Sequence, residues 1–159
     1  MSGLKKWSTF LNEAKNKRKT LTSIICVNED DKVLVIKRSP DEDSKQGYWD
    51  LPGGHVDDED KSIEKGALRE LEEETGLKSS EKDLKYVQKI ESNDADRYFY
   101  VTTGWSGKVK FTPNPKTGVI EHTDAKWKTI DEIKSEKSLQ QQTFRAYLLS
   151  KALDKAKNG

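Results

Sequence analysis

Trp7, Phe10, Leu11 and Ala14 fall at i, i+3, i+4 and i+7, which predicts an amphipathic helix over residues 1–19, closed by basic residues that suit a helix C-terminus. From residue 20 the period changes. The runs TLTSIICV and KVLVIKR are rich in β-branched residues and are separated by the turn-prone NEDDK, the pattern of two neighbouring strands joined as a hairpin. SPDEDSKQGY reads as an exposed loop and WDLP as a short extended piece, because the residue before a proline is pushed toward β or polyproline geometry. LKYVQKIE, RYFYVTTGW and HTDAKWKTI predict three further strands, with the loop TPNPKTGV between the last two. Phe144, Tyr147, Leu148 and Leu153 return to helical spacing and predict a core-packing helix over about residues 138–156. Strands and helices mixed in this order imply an α/β domain with a sheet between helices.

Among those strands lies an acid-rich stretch, LPGGHVDDEDKSIEKGALRELEEETGL, residues 51–77. Its second half predicts a helix with Asp60 or Ser62 as N-cap and Gly76 as the left-handed residue at its C-terminus. Ala67, Leu68 and Leu71 share one side, which must face the sheet. Glu70, Glu73 and Glu74 stand at i, i+3 and i+4, so their carboxylates leave the helix in one stripe at the edge of that side. On an open face such a stripe is simply solvated. Beside a packed sheet, clustered like charges are costly unless cations neutralise them, and hard divalent ions, magnesium above all where phosphates are bound, take oxygen ligands. Acidic helices are common, and ELEEE alone is compatible with either reading. Leu51-Pro52-Gly53-Gly54 favours the metal: a rigid turn whose backbone can approach a ligand closely sits just ahead of the carboxylates.

Composition bounds this picture without redirecting it. The 159 residues fit one ordinary domain; they are 32% hydrophobic and 36% charged with both signs nearly equal, a polar globule with no acidic or basic bias. A net charge of +1 makes no case for nucleic-acid binding. Cys26 is the only cysteine, so neither a disulfide framework nor a cysteine zinc site can be built within the chain. A soluble protein of the reducing cytoplasm is expected, since the N-terminus lacks the apolar stretch of a signal peptide and no segment reaches the roughly 20 apolar residues of a membrane span.

Taken together, these residues resemble the Nudix hydrolase family, whose box reads Gx5Ex7REUxEExGU, with U an aliphatic residue. RELEEETGL, residues 69–77, matches its second half at every specified position, and WDLPGG is the usual lead-in. The resemblance spans about residues 20–149 and implies an α/β/α sandwich with a mixed β-sheet in a domain of residues 20–159, to which the helix of residues 1–19 is an addition. The first half of the box departs from the pattern. Counted forward from Gly54, the first-glutamate position holds Asp60; counted back from Arg69, it holds Lys61. The loop therefore carries one extra residue, and Glu59, Asp60 or neither could replace that glutamate.

The resemblance implies hydrolysis of a nucleoside diphosphate linked to another moiety, by water attacking phosphorus with Mg2+, or Mn2+ in its place. It implies Glu70, Glu73 and Glu74 as metal ligands with the Gly54 carbonyl as a further one, Glu70 or Glu73 as a base acting through water, and Arg69 as the residue that orients Glu73. Many members place another acidic ligand or base after the box. Glu121, in GVIEHTDAKW, is the candidate here, and a surface glutamate at a strand start is the competing reading. His122 beside it is either a base or a hydrogen-bonded bystander. Arg38 stands where relatives place a phosphate-contacting arginine, with a solvated cation as the alternative. Trp49, Tyr98, Tyr100, Phe111 and Trp127 could form a platform for a base or belong to the core, and Trp49 and Tyr100 are the candidates for substrate contact.

A (deoxy)nucleoside triphosphate or its oxidised form, as for MutT-like members, is the expected substrate. ADP-ribose, a dinucleoside polyphosphate, a nucleotide sugar or a capped RNA 5′ end are alternatives. The expected partner is this small nucleotide, with no membrane and no nucleic acid beyond an RNA 5′ end, and the chain is expected as a monomer or homodimer. A catalytically silent binding or regulatory module of the same fold is the reading of another class; such modules usually lose box glutamates that are all present here. An isoprenyl diphosphate isomerase would need a placed cysteine, and Cys26 lies in an early apolar strand, where burial is the default.

Overall fold

Residues 18–39, 48–135 and 142–158 are described in a computed structural model of the chain. The helix expected over residues 1–19 lies outside them except for its last two residues, and so do residues 40–47 of the expected loop. Among the described residues nine strands follow in order: β1 Lys19–Cys26, β2 Val33–Arg38, β3 Trp49–Asp50, β4 Gly53–His55, β5 Lys78–Ser79, β6 Lys85–Glu91, β7 Ala95–Thr102, β8 Trp105–Ser106 and β9 His122–Lys128. The helices are α1 Ile63–Thr75, α2 Ile130–Ser135 and α3 Gln142–Asn158. None of the described helices is long and apolar enough to cross a membrane.

The strands form two main sheets, ordered β4-β1-β7-β6 and β3-β2-β9, beside the small pair β5-β8. Both main sheets are covered on both faces, because alternate residues of β1 and β2 enter different cores. Ile25, Val33 and Val35 join Leu148, Leu149 and Ala152 of α3, whereas Ile24, Leu34 and Ile36 join Ala67 and Leu71 of α1. Helix, sheet and helix make the expected α/β/α sandwich.

β1 and β2 are not the hairpin their spacing predicts. The Asn28 side chain accepts from the amides of Asp30 and Lys32, each at 3.0 Å, and Asp31 takes a left-handed φ of 57°, so the turn is tight. Only a single bridge, Val27 to Val33, joins the two arms. Beyond it each strand has other partners: β1 pairs in parallel with β7 and antiparallel with β4, while β2 lies antiparallel between β3 and β9. Tyr147 is a second correction. It is 63% exposed, because Leu148, Leu149 and Ala152 form the buried stripe of α3 and residue 147 points to its opposite side.

Candidate active site

Local chemistry secures both ends of α1. Ser62 is the N-cap: its backbone is extended and its Oγ accepts from the Lys65 amide at 3.1 Å. At the other end Gly76 has φ 77° and donates its amide to the Glu72 carbonyl at 2.8 Å, a left-handed cap that a side chain would strain. Ala67 and Leu71 are buried against the sheet, with Leu68 half-buried beside them, and the Tyr100 hydroxyl donates to Glu64 Oε1 at 3.0 Å, which ties α1 to β7. The acidic stripe is therefore held in a fixed orientation. β4 pairs with the edge of β1 and packs against α1, and its glycines are there for space. A Cβ on Gly53 would fall 2.0 Å from the Thr22 carbonyl oxygen, and one on Gly54 would fall 2.6 Å from the Glu70 carboxylate carbon.

Arg69 joins the loop to the helix. Its Nε donates to Asp60 Oδ1 at 2.9 Å and its Nη2 to Asp60 Oδ2 at 3.0 Å; Nη2 also donates to the His55 carbonyl at 2.9 Å. Nη1 donates to Glu70 Oε1 at 3.2 Å and Glu73 Oε2 at 3.1 Å. The residue that meets Arg69 is thus Asp60, reached by counting forward from Gly54, while Glu59 and Lys61 on either side are exposed. The Arg69 guanidinium holds the Asp60 carboxyl below the usual carboxylate range, with the charge-assisted bond as the main cause. Asp57, 3.3 Å from Arg69 Nη2, accepts from Lys116 Nζ at 2.9 Å, which brings the loop of residues 111–121 to the same hub.

A cavity of about 1020 Å3 opens beside this hub, and Glu70, Glu73, Glu74, Glu121 and His122 are among the residues that line it. Burial pushes the Glu70 carboxyl up to about 7; Glu73 and Glu121 add to this and Arg69 opposes it. Burial likewise raises Glu74 well above the carboxylate range, helped by Glu70 and opposed by the Gly53 amide, which donates to Glu74 Oε2 at 3.1 Å. His122 moves the other way, down to about 4, because burial and then Arg38 disfavour the imidazolium. One ligand atom from each of Glu74, Glu121 and His122 lies within 4.8 Å of the others. Crowded carboxylates that cannot all keep their charge, in an oxygen-rich setting, fit a hard divalent cation.

The structure brings Arg38, Gly54, Arg69, Glu70, Glu73, Glu74 and Glu121 to this cavity. It does not bring Trp49 or Tyr100, the candidates for substrate contact, to the cavity lining. Trp49 is 6% exposed in the core on the α3 side, with the Lys126 and Lys128 ammonium groups 5.2 and 5.5 Å from its ring centroid. Tyr100 is 3% exposed in the core on the α1 side, and Tyr98, Phe111 and Trp127 pack half-buried against that core. Sequence reasoning missed Asp57, Arg97, Asn114 and Lys116. Arg97 lines the cavity and donates to the Thr22 carbonyl at 3.2 Å and Ser23 Oγ at 2.9 Å, because the parallel pairing of β1 with β7 sets it opposite Leu21. Asn114 Nδ2 donates to Glu121 Oε1 at 2.8 Å. Asn before proline signals a turn, but nothing in the sequence signals that bond.

A model of the NUDIX domain matches residues 17–149. An RNA pyrophosphohydrolase of Wolbachia sp. subsp. Brugia malayi (strain TRS) is 29% identical over 143 residues, covering 76% of this chain and 81% of that protein. A MutT-like protein of Streptomyces ambofaciens is 33% identical over 113 residues, covering 69% of this chain and 62% of the relative. In three dimensions the crystal structure of a MutT NUDIX hydrolase from Burkholderia pseudomallei superposes with a TM-score of 0.64 at 23% identity, over 84% of this chain and 96% of that one; at this identity it speaks for the fold. The capped acidic helix and its arginine hub fall within the matched residues, and the chain belongs to the Nudix hydrolase family.

Proposed function

We propose that this chain hydrolyses the pyrophosphate linkage of a (deoxy)nucleoside triphosphate or its oxidised form, by attack of water on phosphorus. The observation that carries this reading is one cavity lined by the carboxylates of Glu70, Glu73, Glu74 and Glu121 and by the guanidinium groups of Arg38 and Arg97. Such a cavity can receive both a divalent cation and the phosphates it accompanies. Glu70, Glu73 and Glu74 would hold Mg2+ or Mn2+, with the Gly54 carbonyl and Glu121 as further donors. When bound, the cation neutralises phosphate oxygens and lowers the pKa of water.

The residues of the chain do the rest. Arg69 orients Glu70 and Glu73 from one nitrogen, so the two carboxylates are set together. Glu70 takes the proton of the attacking water at the oxygen that Arg69 does not hold. Arg38 faces the transferred phosphate, where a planar guanidinium matches two oxygens. Arg97 contacts the part of the substrate distal to the reacting phosphorus. A cytoplasmic location belongs to the same reading, supported by a single cysteine that is free and buried.

The test is a hydrolysis screen with Mg2+ or Mn2+ across nucleoside triphosphates, oxidised nucleotides, ADP-ribose, nucleotide sugars and dinucleoside polyphosphates, read by chromatography of the nucleotide products. Cleavage is expected of the triphosphates, with oxygen from 18-oxygen water entering a phosphate or pyrophosphate product. Glu73→Gln should abolish it, and cleavage that survives this change would sink the metal assignment. If nothing is cleaved, the silent binding module takes the place of the enzyme reading. A second substrate, the triphosphate at an RNA 5′ end, is favoured by the Wolbachia relative's name, and a 5′-triphosphorylated oligonucleotide in the same screen separates it from free nucleotide.

A further inference from the structure

His122 opens β9 with 6% of its surface exposed, and among the described residues no hydrogen bond reaches either imidazole nitrogen. Buried polar rings are ordinarily partnered, so one without a partner calls for an explanation. One of its ring nitrogens lies within 4.8 Å of carboxylate oxygens from Glu74 and Glu121. A second, small cavity of about 10 Å3, room for one ion or water, is bordered by the same residues together with Glu73, Phe111, Thr112 and Asn114. The two carboxylates are each anchored through one oxygen: the Gly53 amide donates to Glu74 Oε2 at 3.1 Å, and Asn114 Nδ2 donates to Glu121 Oε1 at 2.8 Å. Each has its other oxygen left for an ion.

We infer that Glu74, Glu121 and His122 form a mixed nitrogen and oxygen metal position that takes a first-row transition ion such as Mn2+, Co2+ or Zn2+ in preference to Mg2+. The inference rests on the hydrolase reading in placing this position within the same cavity. Its chemistry is distinct from that of the Glu70 and Glu73 stripe. Mg2+ prefers oxygen donors in near-ideal octahedral geometry and gives up water reluctantly, whereas imidazole suits the later, softer ions. Three protein donors leave the remaining positions of the ion to water or to a phosphate oxygen.

The chain has two histidines, His55 and His122, which makes the nitrogen donor identifiable. The full chain, stripped with a chelator and loaded with one equivalent of Mn2+, is measured by electron spin-echo envelope modulation, once unlabelled and once with 15N-imidazole histidine. Nitrogen modulation that changes with the label is expected, and it should vanish in His122→Asn and persist in His55→Asn. Equilibrium dialysis should show Co2+ affinity falling by about tenfold or more in His122→Asn with Mg2+ affinity unchanged. Wild-type Mn2+ bound without nitrogen modulation, or modulation that survives His122→Asn, overturns the inference. The labelled wild-type arm needs no substitution, so a variant that fails to fold leaves the test intact. Nitrogen modulation without any nucleotide cleavage would count against the hydrolase reading alone; cleavage without the modulation would count against this one alone.

Discussion

Asp60 and Arg69 meet as a two-pronged ion pair, Nε to Oδ1 at 2.9 Å and Nη2 to Oδ2 at 3.0 Å. The loop residue takes two of the three guanidinium nitrogens and leaves Nη1 to Glu70 and Glu73. The orientation of the helix carboxylates is thus set from the loop, where the box carries its extra residue.

Asp60→Asn should therefore reduce activity about 10- to 100-fold through the carboxylates it does not touch. It should also lower stability at neutral pH, by about 1–3 kcal/mol for bonds to a charged group in a side chain only 8% exposed. Arg69 depresses the folded pKa of Asp60, so the wild-type contribution is full above the unfolded value of about 3.9 and is lost as pH falls through the folded value. Urea denaturation at pH 7 and in the acid limb measures both; equal stabilities at pH 7 would refute the prediction.

Gly53→Ala and Gly54→Ala should fail in different ways. At Gly53 the new methyl meets backbone, the Thr22 carbonyl oxygen at 2.0 Å, so β4 cannot keep its register on β1 and the melting temperature should drop. At Gly54 it meets the end of a side chain, the Glu70 carboxylate at 2.6 Å, which can swing away. Gly54→Ala should stay folded and lose activity by an order of magnitude or more, as a displaced catalytic group does. Circular dichroism melts alongside turnover rates distinguish the two outcomes.

Metal-free protein should become less stable as pH rises from about 4.5 to 7.5. Burial raises the folded pKa of Glu70 to about 7, above its unfolded value, so the folded state binds the extra proton between those limits and loses that advantage as pH rises. Glu74 acts in the same direction. For Glu70 the effect is on the order of 3 kcal/mol. Saturating Mg2+ should flatten the slope, because the cation takes over from the protons, and Glu70→Gln should reduce it. A stability profile in chelator that rises across this range would contradict the assignment.

Asn114→Ala and Lys116→Ala separate positioning from surface charge. Asn114 holds the Glu121 carboxylate at 2.8 Å, and its loss should cut turnover about tenfold with little change in melting temperature. Lys116 reaches Asp57 at 2.9 Å but is 72% exposed, so Lys116→Ala should be nearly silent in stability, and any activity change should fade at high salt. Kinetics at low and high ionic strength distinguish the two, because only the Lys116→Ala change should depend on salt.

Much of the site was legible because its grammar is local. The acidic stripe of Glu70, Glu73 and Glu74, the apolar side beneath it and the Gly76 stop all follow from spacings within a few turns of one helix, while the N-cap was open between Asp60 and Ser62 until the structure chose Ser62. Aromatic residues were read less well. Trp49 and Tyr100 look alike in sequence whether a strand turns them to a cavity or to a core, and the pairing of β3 with β2 and of β7 with β1 and β6 decided it. The β1 and β2 hairpin failed for a related reason: the turn was recognised, but a turn does not choose the partners of its arms.

The sequence by itself determined the family, the order of elements and the helix that bears the carboxylates, since side chains three and four residues apart must share a helix face. Only the tertiary structure decided that Asp60 is the residue that answers Arg69, that Glu121 and His122 come to Glu74, and that Arg97 and Asn114 join them. Those meetings join residues far apart in the chain. They depend on which strands pair and in what register, a choice made by the burial of whole faces on both sides of a sheet rather than by any short stretch of residues.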